Sequence, residues 1–383
     1  MAQRKRIALR YAYNEGWIGG TYYLHNLISS LKLLDEKEMP HLRIYAHERD
    51  FSHLRALGYP HMTLENIEIR YNFPERAVNK LWRILTGKNF LEKRPNPRNS
   101  DFLFPIHHDD FAEAMPENRT IYWIADFQDR HMPELFSERE LEMRRRKQSF
   151  IASRRAHIIF SSETALHDFT TFYPEYCCQT YVVPFTVTHP SLEGIIQEDL
   201  VKKYDLSPRY FFLPNQFWKH KNHILVLQAL KIMQERGLTT QVVFTGKEED
   251  YRNPEHFTSL QNYVKENQLF DHVRFLGFID RAEQLVLMKN SFAVIQPSLF
   301  EGWSTVVEDA KALNCFVLLS DIPVHREQMK ENARFFSPYD AEGLAKLMSE
   351  VWENPPHVSH TPYDCGRFGQ LFYSVLRRAE SRL

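Results

Sequence analysis

Arg6-Ile7-Ala8-Leu9-Arg10-Tyr11-Ala12-Tyr13 leads into Asn14-Glu15-Gly16-Trp17-Ile18-Gly19-Gly20, and Tyr22 to Leu34 then carries apolar residues at helical spacing. A short apolar strand, a glycine-bearing loop and a helix, in that order, predict the first unit of an open parallel sheet. Further strand-like runs lie at Leu42 to Ala46, Ile67 to Tyr71, Phe102 to Ile106, Thr120 to Ile124 and His157 to Ser161, separated by helix-compatible stretches. Such alternation predicts a sheet covered by helices on both faces. The pattern lapses around Pro184 to Pro190, where Phe185-Thr186-Val187-Thr188-His189-Pro190-Ser191 reads as an exposed linker. A second alternating series follows at Tyr210 to Leu213, Gln241 to Phe244, His272 to Leu276, Phe292 to Gln296 and Cys315 to Leu319. Arg367 to Arg378 then places Phe368, Leu371, Phe372, Val375 and Leu376 at the spacing of an amphipathic helix. Two parallel-sheet domains are therefore expected to meet at a cleft beside the carboxyl ends of their strands, where ligands of such sheets bind.

The length of 383 residues suits two domains. Lysine and arginine total 48 against 49 acidic residues, so the chain has no global basic footprint for nucleic acid. A hydrophobic fraction of 43% with 25% charged residues excludes disordered and fibrous classes. No run approaches the roughly 18 apolar residues of a membrane-spanning helix. Met1 to Arg6 is basic but lacks the longer apolar region of a secretory signal, so the cytoplasm is the expected location. Cys177 and Cys178 are adjacent while Cys315 and Cys365 stand alone, a pattern of reduced thiols rather than of disulfides or a zinc site.

The most informative segment is Pro297-Ser298-Leu299-Phe300-Glu301-Gly302-Trp303-Ser304-Thr305-Val306-Val307-Glu308-Asp309-Ala310-Lys311-Ala312. It reads as a strand end, a tight glycine turn and a helix start near Ser304 or Thr305. The first amides of such a helix favour phosphate. A carboxylate just ahead of them would repel phosphate, so Glu301 is expected to face a hydroxyl-rich group such as a sugar. Thr305-Val306-Val307-Glu308 matches a capping box, in which Glu308 returns to the backbone of Thr305 and leaves Asp309 free to point elsewhere.

The Glu301 to Asp309 spacing resembles the signature of the retaining GT-B glycosyltransferases of glycosyltransferase family 4 (glycosyl transferases group 1), a Glu, seven residues and a second Glu. Glu301 fits the first position, and Asp309 holds the second with one methylene less reach toward a nucleotide ribose. The resemblance extends through Val273-Arg274-Phe275-Leu276-Gly277-Phe278 and Ser320-Asp321-Ile322-Pro323-Val324-His325-Arg326-Glu327. In Leu213-Pro214-Asn215-Gln216-Phe217-Trp218-Lys219-His220-Lys221-Asn222, Lys221 matches the family's diphosphate-holding Lys, and Gln216 stands where its Arg is expected. Lys219 is a candidate to replace that Arg, although lysine lacks arginine's planar bidentate grip. Gly19 and Gly20 match the family's glycine pair, where backbone comes close to the donor diphosphate.

Tyr122-Trp123-Ile124-Ala125-Asp126-Phe127-Gln128-Asp129-Arg130-His131-Met132-Pro133 gathers aromatic and ionisable groups after a strand. Many relatives carry a His near position 126. Here Asp126 is the candidate to orient an acceptor or donor hydroxyl, with Trp123 and His131 as further acceptor candidates. His107, His108, Asp109 and Asp110 match no familiar metal spacing, and the family generally works without a metal, so neither metal nor cofactor is expected. Two basic stretches, Arg76 to Arg98 (Lys80, Trp82, Arg83, Lys88, Lys93, Arg94) and Arg144-Arg145-Arg146-Lys147 continuing to Arg154-Arg155, are ordinarily solvated helix faces. A lipid-carried acceptor would give them a second use, as peripheral contacts with the inner face of the membrane.

The resemblance implies a GT-B architecture. Residues 1–190 would form a Rossmann-like acceptor domain, 191–360 a Rossmann-like nucleotide-sugar donor domain, and 361–383 a helix able to return to the first domain. It implies a hexosyltransferase that moves a sugar, with retention, from a nucleoside diphosphate sugar to a hydroxyl of a glycan or lipid-linked glycan, in bacterial surface polysaccharide or glycoconjugate assembly. Glu301, Lys221 and Asp126 would be catalytic. Gly19, Gly20, Asn215, Lys219, Lys221, Glu301, Gly302, Trp303, Ser304, Thr305 and Asp309 would bind the donor. Glu301 and Lys221 are expected to converge across the cleft on opposite ends of the activated sugar. A catalytically inactive sugar-nucleotide-binding regulator and a sugar-nucleotide epimerase are the alternatives on the same fold.

Overall fold

The computed structural model describes residues 4–68, 73–86, 96–104 and 114–382. Its first sheet contains β1 (Arg6–Arg10), β2 (His41–Ala46), β3 (Met62–Asn66) and β4 (Phe102–Phe104) in the order β3-β2-β1-β4. A parallel bridge from Leu103 to Thr120 continues it into β5 (Ile121–Ile124), β6 (His157–Phe160) and β7 (Gln179–Val182). The second sheet holds β8 (Phe211–Pro214), β9 (Val242–Thr245), β10 (Val273–Phe275), β11 (Ala293–Gln296), β12 (Val317–Ser320) and β13 (Ala333–Phe336) in the order β10-β9-β8-β11-β12-β13. Every described strand pair is parallel.

Parallel strands covered on both faces must be apolar on both, and the second sheet is. Phe211, Leu213, Ile295 and Leu318 face one apolar cluster, while Phe212, Val294, Val317 and Leu319 face another on the opposite side. In each sheet the order reverses between two central strands, β1 and β4 in the first and β8 and β11 in the second. Crevices at such reversals hold the ligands of open parallel sheets.

Helix Arg367–Glu380 packs on helix Ile18–Leu31 of the first domain. Phe368, Phe372, Val375, Leu376 and Ala379 are buried in the same cluster as Ile7, Leu9, Tyr23 and Leu27. The two helices touch closely at Gly369, where an added Cβ would lie 2.6 Å from the Ser30 carbonyl oxygen and whose N–H donates to Ser30 Oγ at 2.7 Å.

Several expectations need correction. The third strand is Met62–Asn66, set by register against Leu42 to Ala46; of the expected run Ile67 to Tyr71, Ile67 and Glu68 follow the strand and the rest lies outside the described residues. The first helix starts at Ile18, inside the glycine loop, because Asn14 caps a turn at Glu15–Trp17 that runs straight into it. The segment after Pro184 is no exposed linker. Val183, Phe185 and Val187 are buried, Thr188 N–H donates to Asn26 Oδ1 at 2.9 Å, and Thr186 Oγ1 donates to the Cys365 carbonyl at 3.0 Å. Strands β7 and β13 are additions to the expected series. His107, His108, Asp109 and Asp110, with Lys88, Lys93 and Arg94, lie outside the described residues. No described helix is long and apolar enough to cross a membrane.

Candidate active site

The reversal in the second sheet brings together two loops distant in sequence. After β8 the chain makes a short turn, Lys219–Lys221, which ends on Asn222 in the left-handed region at φ 58°. Asn tolerates that conformation better than most side chains. The Asn222 amide donates to the carbonyls of Pro297 at 3.1 Å and Pro338 at 2.8 Å, tying this turn to the loop after β11. Lys221 is thereby aimed at Glu301, and its Nζ lies 2.6 Å from Glu301 Oε1.

The two residues meet, but as loops of one sheet bonded directly to each other rather than across the cleft. Oε1 also accepts from Ser298 Oγ at 2.7 Å and Gln296 Nε2 at 2.8 Å. None of these contacts uses Oε2, which leaves that oxygen for a hydroxyl. Gln296, buried at the end of β11, also accepts from the Asn215 amide at 2.7 Å, so one glutamine orders both loops. Burial opposes ionisation of Glu301, yet the adjacent Lys221 charge and its donors outweigh it and hold the carboxyl below its ordinary range.

The helix after the glycine turn is Thr305–Ala312, capped by Ser304, whose Oγ accepts from Val307 N–H at 3.4 Å. This corrects the capping-box reading, because the cap sits one residue earlier. Glu308 turns away to accept from Lys311 at 2.8 Å, Gln328 at 3.0 Å and the Tyr363 hydroxyl at 2.7 Å. Asp309 does face the cleft. Its Oδ1 is held by Arg281 at 2.5 Å and His189 at 2.9 Å, and its buried Oδ2 has no hydrogen-bond partner.

Arg281 was not singled out in the sequence, although it opens the helix after the Gly277-Phe278-Ile279-Asp280 turn. Burial works against the Asp309 carboxylate, but Arg281 and His189 outweigh it and keep its pKa depressed. A depressed folded value contributes stability that is complete above the ordinary carboxylate pKa and is lost as pH falls through the folded value. The melting-temperature gap between wild type and Asp309→Asn should therefore be widest near neutrality and shrink below about pH 4. Thermal unfolding of the two proteins across pH checks this, and a gap independent of pH would refute it.

These groups line a cavity of about 220 Å³ between the domains. Gly19, Asn215, Gln216, Lys221, Glu301, Gly302, Trp303, Ser304, Thr305 and Asp309 all border it, together with Gly246, Arg281, Trp123 and Asp126. Gly19 belongs to the first turn of helix Ile18–Leu31, whose N-cap Trp17 makes no side-chain cap hydrogen bond, and the Gly19 backbone borders the cavity. Gly20 is not on the wall. It packs under the Trp17 ring, which an added Cβ would strike, and so supports the loop rather than lining it. Lys219 is exposed and off the wall, its N–H donating to Asp250 at 3.1 Å. Gly246, after β9, abuts the Asn215 carbonyl so closely that a side chain cannot fit.

From the first domain, Trp123 stacks on Tyr23 with centroids 3.7 Å apart and donates to Ser161 Oγ at 3.0 Å. Asp126 Oδ1 accepts from Gln128 N–H at 3.0 Å. Burial pushes the Asp126 carboxyl above its usual range, and repulsion from Asp129 and Glu301 adds to the rise. His131 is not on the wall; it pairs with Asp168 at 2.8 Å and lies near the Phe300 ring.

Residues 197–366 match the family model described as glycosyl transferases group 1. The chain is 22% identical over 307 residues to the O-antigen chain mannosyltransferase RfbU of Salmonella typhimurium, covering 80% of each protein. Among solved structures it superposes on Anabaena Alr3699/HepE, crystallised with UDP and glucose, with a TM-score of 0.64, 14% identity and coverage of 99% of this chain and 100% of that one. Sucrose-phosphate synthase from Thermosynechococcus elongatus gives a TM-score of 0.62 at 15% identity, covering 99% of this chain and 94% of that one. The paired parallel sheets and the cleft between them give this chain the GT-B fold, and its second half, residues 197–366, is similar to the glycosyl transferases group 1.

Proposed function

We propose that the protein moves a hexosyl group from a nucleoside diphosphate sugar to a hydroxyl of a glycan or lipid-linked glycan, with retention at the anomeric carbon, in assembly of a bacterial surface polysaccharide. The observation that carries this reading is the Lys221 to Glu301 contact in a cavity that both domains line. As the bond from sugar to phosphate stretches, negative charge grows on the diphosphate. Lys221 and the first-turn amides around Gly19 would oppose that charge in a site shielded from water. Glu301 Oε2 would hold a sugar hydroxyl. Among the described residues of the wall, Glu301 and Asp309 are engaged by cations, and burial disfavours ionisation of the third carboxyl, Asp126. A poorly ionised carboxyl is a weak nucleophile, which favours attack from the leaving-group face, with the departing phosphate taking the acceptor's proton.

Asp309, one oxygen held and one free, is suited to a ribose hydroxyl. Peripheral contact with the inner membrane face is part of the same reading. Helix Phe73–Thr86 supports it, exposing Leu81 and Ile84 beside Arg76, Lys80 and Arg83. The relative named for mannosyl transfer to O-antigen and the neighbour crystallised with UDP and glucose support the donor and product classes.

Incubation of the purified protein with a panel of nucleoside diphosphate hexoses and glycan acceptors, with and without phosphatidylglycerol vesicles, tests the proposal. Acceptor-dependent release of nucleoside diphosphate and an α-configured product from an α-linked donor are expected, with the protein sedimenting with the vesicles. Donor conversion without acceptor would indicate the epimerase, and binding without turnover the regulator.

A further inference from the structure

A second cavity, of about 540 Å³, opens from the first and shares Trp17, Trp123, Ala125, Asp126, Gln128 and Trp218 with it. Its outer wall is helix Glu138–Ala152, which presents Arg144, Lys147 and Ile151 at the three- and four-residue spacing of one helical face. Arg145 and Arg146 are exposed and do not line it. The run Arg144-Arg145-Arg146-Lys147 is therefore divided: Arg144, half-buried, and Lys147, exposed at the rim, border the cavity, while Arg145 and Arg146 do not.

A third cation arrives from the other domain. The Arg252 side chain is only 6% exposed, yet its Nε has no hydrogen-bond partner, and the nearest Asp250 oxygen is 3.7 Å away. Its Nη1 reaches across to Gln128 Oε1 at 3.3 Å. Arg144 and Arg252 both lie over the Phe136 ring, with guanidinium carbons 4.7 and 4.8 Å from its centre. Two like charges drawn to one ring repel each other unless an anion sits between them.

The only carboxylate on the cavity's described lining is Asp126. Glu140, on the same helix but off the lining, caps Ser137 through Oε2 at 2.9 and 2.7 Å and accepts from the Tyr251 hydroxyl through Oε1 at 3.3 Å, so it offsets part of the Arg144 charge from outside the cavity. Keeping a buried guanidinium with an unsatisfied donor is costly, which argues for a ligand that completes it. Trp17, Trp123 and Trp218 line it as well, with Met143 and Tyr251, and supply apolar surface for a sugar ring.

We propose that this second cavity receives the acceptor, and that the acceptor is an acidic saccharide carrying a carboxylate or phosphate close to the accepting hydroxyl. The inference rests on the sugar-transfer reading and adds to it the acceptor's charge. The anion lies among Arg144, Lys147 and Arg252, the sugar ring against the tryptophans, and the hydroxyl at the shared boundary beside Asp126.

The test compares matched acceptors: methyl hexosides, the corresponding methyl hexuronides, and hexose 1-phosphates, each with the donor found active. Wild type should favour an acidic member over its neutral counterpart by about tenfold or more in kcat/KM, from charge-assisted contacts. The advantage should fall severalfold as salt is raised. Arg144→Gln combined with Lys147→Gln should bring the ratio of acidic to neutral acceptor close to one. Arg145→Gln with Arg146→Gln, off the cavity, should leave the ratio as it is. Protection against thermal unfolding by the nucleoside diphosphate shows that the variants are folded with an intact donor site. Preference for hexuronides identifies a carboxylate, and preference for hexose phosphates a phosphate. Equal use of neutral and acidic acceptors by wild type, or a ratio unmoved in the Arg144/Lys147 variant, overturns the proposal while leaving sugar transfer standing. Absence of turnover with every donor removes both.

Discussion

Replacement of Lys221 by alanine is expected to lower sugar transfer by about 10²–10³-fold, the loss typical when one preorganised group facing developing charge is removed. Two cations line the described wall of the first cavity, Lys221 and Arg281, and Arg281 is committed to Asp309 at 2.5 Å. Lys221 is paired in turn with Glu301 at 2.6 Å, but that contact uses one of its three N–H donors and leaves the others for a leaving diphosphate. Its removal also leaves Glu301 as a buried carboxylate that has lost its main compensating charge. Glu301 should then take up a proton more readily, and its Oε2 becomes a poorer acceptor for a sugar hydroxyl.

Glu301→Gln tests the other half of the pair, and a fall of similar size is expected. Because the two side chains act on one another, the double variant should lose far less than the product of the single losses. Steady-state kinetics on the three proteins, with nucleotide binding measured separately, decides the matter. Near-wild-type kcat/KM in either single variant would show that the contact is structural and that the chemistry lies elsewhere.

Gly302→Ala is expected to cost about 100-fold in kcat/KM while each domain stays folded, since displacement by about 1 Å is enough to spoil a reacting geometry. A Cβ at Gly302 would collide with the carbonyl oxygen of Ala125 and come within 2.8 Å of the Asp126 Cβ. Both belong to the opposite domain, and a backbone carbonyl cannot rotate out of the way as a flexible side chain can. The glycine therefore sets how closely the loop bearing Glu301 approaches the loop bearing Trp123 and Asp126. The extra methyl should separate the loops rather than unfold either sheet, so melting should shift little while turnover collapses. Wild-type turnover in this variant would show that the loops need not be this close in the reacting complex.

Much of this arrangement was legible in the sequence because it rests on local signals. The alternation of apolar runs with helical stretches located most of the strands, and the Glu301 to Asp309 segment was readable because a glycine turn and a helix start leave their marks within a few residues. Edge elements escaped for the opposite reason. Strands β7 and β13 are only partly buried, and residues such as Gln179 and Arg334 blur their apolar pattern. The linker was misread because its small and β-branched residues resemble a loop, whereas its burial depends on Asn26 and Cys365 more than 150 residues away. Arg281 and Arg252 were missed for the same reason. Nothing in their neighbours announces that they meet Asp309 or Gln128, since those contacts arise only when the sheets are assembled.

The chain passes between its halves twice, at Thr186 to Thr188 and again ahead of helix Arg367–Glu380, and the two passages are fastened together. The Tyr363 hydroxyl accepts from Val187 N–H at 2.8 Å and donates to Glu308 at 2.7 Å, next in sequence to Asp309 on the cavity wall. A pivot made of two bonded strands resists twisting and sliding but still permits bending, so opening is confined largely to a single swing. The same phenol that stiffens the pivot rests on the helix that cradles the ligand, and a change in the angle of the swing is felt there first.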